Sequence, residues 1–247
     1  ALSCLGVKLW EPSGNVLLRD LFLSVTGQSG RNDIYAQEND IVSNVLGNNF
    51  YASFVNQMNA LKADGTLTDW KPVAYDWRLS LDDIVGKGVE RSGKIYYQRP
   101  TETPYIEATL RELAASSPTG KVSLIAHSNG GLVAKKLMQR LEASGDADLV
   151  DTIIFVGVPQ SGAPQAMAGL LYGYGEALPK DRCAEGMFTG WLCSLLGSRD
   201  VARELAEHSP MAYHLLPSQA YFDQTFGTEH PLAKFSAITA YAEERSR

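Results

Sequence analysis

A serine hydroxyl is a weak nucleophile until a base takes its proton, and the oxyanion it then creates needs hydrogen-bond donors. Ser128 stands where both needs can be met. It lies in KVSLIAHSNGGL, residues Lys121 to Leu132, as the centre of Ala126-x-Ser128-x-Gly130. Small residues on both sides let the chain turn sharply, so that the serine oxygen stands clear of a sheet. The first N–H groups of a following helix have no partner inside that helix. The amide of Asn129 can therefore point at a developing oxyanion, an interaction worth roughly 2.7–4 kcal/mol per donor. The usual pattern is G-x-S-x-G, and Ala126 is the smallest step away from its first glycine. The same residues also fit a β–α turn that carries a surface serine.

Such a serine must be presented by a strand and a helix. Lys121 to Ala126 is short and mostly apolar, which predicts the strand. After the turn, Leu132, Val133, Leu137 and Leu141 fall on one side of a helix and Lys135, Lys136, Gln139 and Arg140 on the other. Strand, tight turn and helix with a serine at the turn form a nucleophile elbow.

Other runs predict a layered α/β architecture. Asp151 to Pro159 (DTIIFVGVP) reads as a second buried strand, and Val73 to Trp77 within KPVAYDWRLS as a third. Asp76 and Arg78 end that third run at the edge where open parallel sheets face their ligand crevice. They fit either a structural ion pair or a place in the site. Asn49 can cap a helix through Phe50, Phe54, Met58 and Leu61 that Gly65 would end; Thr103 as cap and Pro104 as first residue start another, with Ile106, Leu110 and Leu113 inward. Asp82 to Arg99 is polar and punctuated by glycine, and predicts a loop or a mobile excursion. Alternating strands and helices imply parallel strands joined by right-handed crossovers. Gln160 to Gly197 is glycine-hinged and apolar, which suits a lid over a site or an ordinary helical excursion. Val201 to His208 and Met211 to Leu216 predict short helices, and Phe235 to Tyr241 a late strand.

Composition bounds the function. The 247 residues suffice for one large α/β domain with its own core. A net charge of −6 argues against nucleic acid as the main partner. No apolar run approaches the ~20 residues that span a bilayer. No Cys/His cluster has zinc spacing, so no metal site is expected. Cys183 and Cys193 flank a glycine-rich stretch, and a disulfide between them would suit a secreted or cell-envelope protein.

Four stretches together resemble one family: IAHSNGGLVAKK, AYDWRLS, VGVPQSGAP and SPMAYHLLPS at Ser209–Ser218. They are similar to lecithin:cholesterol acyltransferase and lysosomal phospholipase A2, serine acyl-hydrolases or acyltransferases of the α/β-hydrolase fold. SCLGVKLW resembles the family's Pro-Gly-x-Leu-Gly oxyanion loop, with Leu2-Ser3 in place of Pro-Gly, so the resemblance runs from about Ser3 to Ser218. It implies one domain with a mostly parallel sheet flanked by helices and a lid-like insertion at about 165–200. It implies Ser128 as nucleophile, and the backbone N–H groups of Cys4 and Asn129 as the oxyanion hole. Lipid or other acyl-ester substrates follow from the resemblance, with peripheral contact to a membrane or lipid surface, and no metal or organic cofactor. In this fold the acid and then the histidine follow the serine. His208, His214 and His230 are the downstream histidines: His214 lies inside MAYHLL and reads as structural, His208 sits at a helix end and reads as exposed, and His230 follows Asp223 in the right order. Seven residues is a poor spacing for groups that come from two late strands. The expectation is therefore that acid and base lie beyond Arg247, and no triad partner is assigned. A non-catalytic protein that keeps the fold to bind a lipid or a partner is the alternative.

Overall fold

The computed structural model describes residues 2–4, 7–8, 20–41, 44–45, 48–49, 51–172 and 199–226. Its strands are β1 (Leu2–Cys4), β2 (Val7–Lys8), β3 (Ile34–Gln37), β4 (Asn44–Val45), β5 (Asn48–Asn49), β6 (Val89–Arg91), β7 (Lys94–Tyr96), β8 (Val122–His127) and β9 (Val150–Val156). Its α-helices are α1 (Ala52–Ala63), α2 (Leu81–Lys87), α3 (Tyr105–Ser116), α4 (Gly130–Ser144), α5 (Pro164–Tyr172), α6 (Arg199–Glu207), α7 (Pro210–His214) and α8 (Gln219–Phe226). The chain divides into two compact units, one of Ala1–Trp10, Asp33–Asp76 and Asp82–Val158, the other of Glu11–Asn32, Trp77–Leu81 and Pro159–Arg247.

The first unit carries the elbow. Strands β8 and β9 pair in parallel with Ile125 opposite Ile154 and Ala126 opposite Phe155. The crossover between them is α4, which closes on Gly145 in the left-handed region (φ 78°). There the Asp146 N–H reaches back to the Leu141 carbonyl at 2.8 Å, the glycine-terminated helix end that satisfies otherwise orphaned carbonyls. Helices α3 and α4 pack on β8. Burial alternates along that strand: Ala126 is buried, whereas Ser123, Ile125 and His127 are exposed. On the exposed face, Ile125 and Ile154 each remain 47% accessible.

Helices α3 and α4 are clamped by charge. Glu107, 7% exposed, receives hydrogen bonds from Arg111 at 2.8 Å and Arg140 at 2.9 Å, and Arg111 also reaches Asp146 at 2.6 Å. Burial acts to raise the Glu107 pKa, but the hydrogen bonds and charges of the two arginines prevail and hold it below the usual carboxylate value.

Several expectations shift. The described residues place β8 and β9 in a two-stranded parallel sheet, and the larger sheet, ordered β2-β1-β3-β7-β6, is antiparallel throughout. Among the described residues a full, mostly parallel sheet is not seen. Val73 to Trp77 forms no strand; a five-residue apolar run does not separate a strand from a buried irregular segment, and Pro72 has no N–H for a ladder. Asp82 to Arg99 is not a plain loop. It holds α2, with Asp82 and Asp83 in its first turn and Lys87 in its last, followed by the β6–β7 hairpin. Ser92 (φ 54°) and Gly93 (φ 77°) make the two-residue turn, whose positive φ at both central positions matches the strand twist. Helix α1 is capped by Tyr51, not Asn49, and buries none of its residues; α3 is capped by Pro104, one residue later than Thr103.

In the second unit the remaining motifs hold one another. Arg78 is fully buried and donates to the Leu21 carbonyl at 3.1 Å, and the Ser209 hydroxyl donates to the Arg78 carbonyl at 2.9 Å. Ala163 N–H donates to Leu215 O at 2.7 Å and Ser218 N–H to Ser161 O at 2.8 Å. Gly162 has φ 93°, and a Cβ there would meet Leu216 O at 2.2 Å. VGVPQSGAP and SPMAYHLLPS therefore pair through main-chain bonds at a spot only glycine can occupy. The stretch 173–198, with the Cys183–Cys193 pair and most of the expected lid, lies outside the described residues, as do His230 and Phe235 to Tyr241. No helix among the described residues is long and apolar enough to cross a membrane.

Candidate active site

Two residues, Ser128 and the N-cap Asn129, stand between β8 and α4. Ser128 adopts φ 52°, one of three non-glycine residues with positive φ among the described residues. That region costs a side-chain-bearing residue roughly 1–2 kcal/mol. Its neighbours enforce it. Ser128 N–H donates to the Val156 carbonyl of β9 at 2.9 Å, and its own carbonyl accepts from Gly131 N–H at 3.1 Å. Asn129 is already right-handed helical (φ −53°, ψ −31°), and its carbonyl takes Leu132 N–H at 3.0 Å. Chain direction thus reverses from strand to helix on Ser128 alone, and the serine is exposed at the crest.

The two glycines after it have different reasons. A Cβ on Gly131 would lie 2.3 and 2.4 Å from the two methyls of Val158 and 2.9 Å from its Cβ, so the first turn of α4 can approach the end of β9 only without a side chain. At Gly130 there is room: among the described residues, the hypothetical Cβ meets within 4 Å only the Tyr75 hydroxyl, at 3.8 Å. The preceding Ala126 is buried, which accounts for a small residue at the first position of the pattern.

Around the serine stand aromatic and imidazole groups that the sequence reading left out. Tyr51 Oη lies 2.5 Å from His127 Nδ1, with the rings edge-on at 5.5 Å; the phenol is the donor when the imidazole carries its proton on Nε2. His127 Nε2 in turn lies 3.9 Å from where a Cβ on Gly157 would sit. Burial, and then Tyr51, push the Tyr75 hydroxyl up to about 12, so it stays a neutral donor through the physiological range. Asn129 Oδ1 is buried with no hydrogen-bond partner among the described residues, a cost of about 1–3 kcal/mol. The one available signal was AYDWRLS itself, where Tyr75 stands between Ala74 and Asp76; both neighbours are buried, at 6% and 5% exposed.

Ser128 and Asn129 share the elbow. Cys4 lies elsewhere, in β1 of the antiparallel sheet, buried, with its thiol donating to Asp33 Oδ2 at 3.2 Å. Asp76 and Arg78 are both buried. His214 ends α7, with Nε2 3.5 Å from Leu81 N, and His208 follows α6 half-buried. Asp223 accepts from Gln219 Nε2 at 2.8 Å within α8.

A family model, lecithin:cholesterol acyltransferase, matches residues 41–188, more than half of the chain and including the whole elbow. The chain belongs to this family. Comparisons with curated proteins and with solved structures gave no match. The matched span takes in AYDWRLS, the elbow and VGVPQSGAP, whereas SCLGVKLW and SPMAYHLLPS fall outside it. Membership in the lecithin:cholesterol acyltransferase family implies the α/β-hydrolase fold, and acyltransferase or esterase chemistry, in general terms, on lipid substrates.

Proposed function

We propose that the protein cleaves lipid-type acyl esters through an acyl-enzyme on Ser128. The observation that carries this reading is the left-handed Ser128 between a parallel strand and a helix N-terminus. In the first half-reaction, Ser128 Oγ attacks the ester carbonyl carbon and gives its proton to a general base. The carbonyl electron pair moves onto oxygen, where the Asn129 N–H stabilises it. The tetrahedral species collapses, the alkoxide leaves with a proton, and the acyl group stays on Ser128. Water or an alcohol then attacks the acyl carbonyl, and the serine is released. Hydrolysis and transfer differ only in that second nucleophile.

The test is covalent. A fluorophosphonate probe should label the wild-type protein at Ser128, located by peptide mass spectrometry. Ser128→Ala should abolish labelling and esterase activity together. Undiminished turnover in the alanine variant would remove Ser128 from the mechanism, and a wild type that binds lipid ester but neither labels nor turns over would favour the binding-only alternative.

A further inference from the structure

The glycine at position 130 is not explained by packing. Gly131 is forced by Val158, but among the described residues nothing crowds Gly130; a methyl there would make one ordinary contact, with Tyr75 Oη at 3.8 Å. Cα–Cβ bonds of a helix tilt toward its N-terminus. The open space at Gly130 therefore lies on the side of α4 where its first N–H groups are exposed, including the amide of Asn129. Tyr75 borders that space with a hydroxyl, and among the described residues no hydrogen bond occupies it. The buried Ala74 and Asp76 fix the chain on either side. Space beside a nucleophile, bordered by a neutral donor and the first amides of a helix, is suited to an oxygen that gains charge.

We propose that the Tyr75 hydroxyl is a catalytic hydrogen-bond donor to the oxyanion formed at Ser128, with Gly130 kept bare to admit that oxygen. This inference rests on the Ser128 reading above. Tyr75 gives no proton away: the hydroxyl shortens its hydrogen bond as the carbonyl oxygen becomes negative and lengthens it when the tetrahedral species collapses. Its pKa near 12 keeps the donor intact across the working range.

Fluorophosphonate inactivation separates binding (KI) from the bond-forming step (kinact), because the phosphoryl oxygen occupies the oxyanion position as Ser128 attacks phosphorus and fluoride leaves. Tyr75→Phe removes one atom and keeps the ring. It is expected to lower kinact by about 10²-fold, the scale of losing one oxyanion donor, with KI and the thermal midpoint unchanged. Gly130→Ala is the second variant and does not depend on how Tyr75→Phe folds. A methyl with no contact under 3.8 Å should fold at least as well as wild type yet slow kinact, since it fills the space the oxygen needs. Wild-type kinact in both variants would overturn the proposal while leaving Ser128 in place. A lowered KI affinity with unchanged kinact would also overturn it, making Tyr75 a substrate-binding wall. Failure of the wild type to label at Ser128 would instead bring down the nucleophile assignment, and this inference with it.

Discussion

Gly131→Ala isolates the contact that lets the elbow close. The new Cβ would lie 2.3 Å and 2.4 Å from the Val158 methyls, where carbon–carbon contacts are at ease near 3.5–4.0 Å. Rotating Val158 about χ1 moves the methyls but not its own Cβ, which is already 2.9 Å away. Backbone must therefore shift. Overpacking of this kind costs typically 1–3 kcal/mol, and alanine returns at most about 1 kcal/mol of helix propensity over glycine. The net expectation is a loss of about 1–2 kcal/mol, or roughly 2–4 °C of Tm per kcal/mol for a chain of this size. Urea denaturation of Gly131→Ala, Val158→Ala and the double variant measures it. Deleting the methyls should relieve part of the clash, so the double variant should be more stable than the sum of the singles by about 1 kcal/mol. A neutral or stabilised Gly131→Ala, or strict additivity, would refute the close approach of α4 to the end of β9.

Two further perturbations test the frame of the site. At Ser128, glycine should be more stable than alanine by about 0.5–1 kcal/mol: the left-handed penalty of roughly 1–2 kcal/mol falls only on alanine and exceeds glycine's entropic handicap of about 0.5–1 kcal/mol. Thermal melts of the two variants decide it, and the reverse order, usual inside helices and strands, would remove the left-handed assignment. Glu107→Gln should cost about 1–2 kcal/mol at pH 7, since the partly exposed arginines soften the loss of a charged hydrogen-bond acceptor. Because the folded pKa of Glu107 is depressed, its contribution is fully present above the unfolded value of about 4.3 and is lost as pH falls through the folded one. Wild-type Tm should thus fall toward the variant's in acid, and parallel pH–Tm curves would sink this account of the clamp.

What the sequence made legible was what local rules govern. The elbow was readable because strand, small residues, serine and helix each have a local signature, and all four agree around Ser128. Helix α4 followed from periodicity, since one side of it had to be apolar, and β8 and β9 from short apolar runs; but β9, expected to be buried, is exposed at Ile154, Phe155 and Val156, because an apolar run marks a strand without showing what covers it. Asp82 to Arg99 was misread because its hairpin turns on Ser92-Gly93, a two-residue signal lost among polar neighbours. Val73 to Trp77 was misread for the opposite reason: its apolar run reports burial, and burial is shared by strands and by irregular chain. The role of Gly162 was not legible, because the Leu216 carbonyl that forbids a side chain there lies far away in sequence.

The distinction between Gly130 and Gly131 shows where sequence reading ends and chemistry begins. Both are glycines of one motif, and the pattern gives no reason to separate them. In three dimensions one is forced by the methyls of Val158, so its missing side chain serves the fold. The other faces open space bordered by a phenol, and stability would gain from alanine there, by up to about 1 kcal/mol in a helix. A residue that forgoes available stability at the crest of a strained turn is the signature of a site where something else must fit. The strain at Ser128 and the orphaned Oδ1 of Asn129 are two more local costs at the same turn. Three unfavourable choices within three residues support the proposal that this turn receives a reacting carbonyl: each costs stability, and the proposed acyl-enzyme on Ser128 gives a reason to keep it.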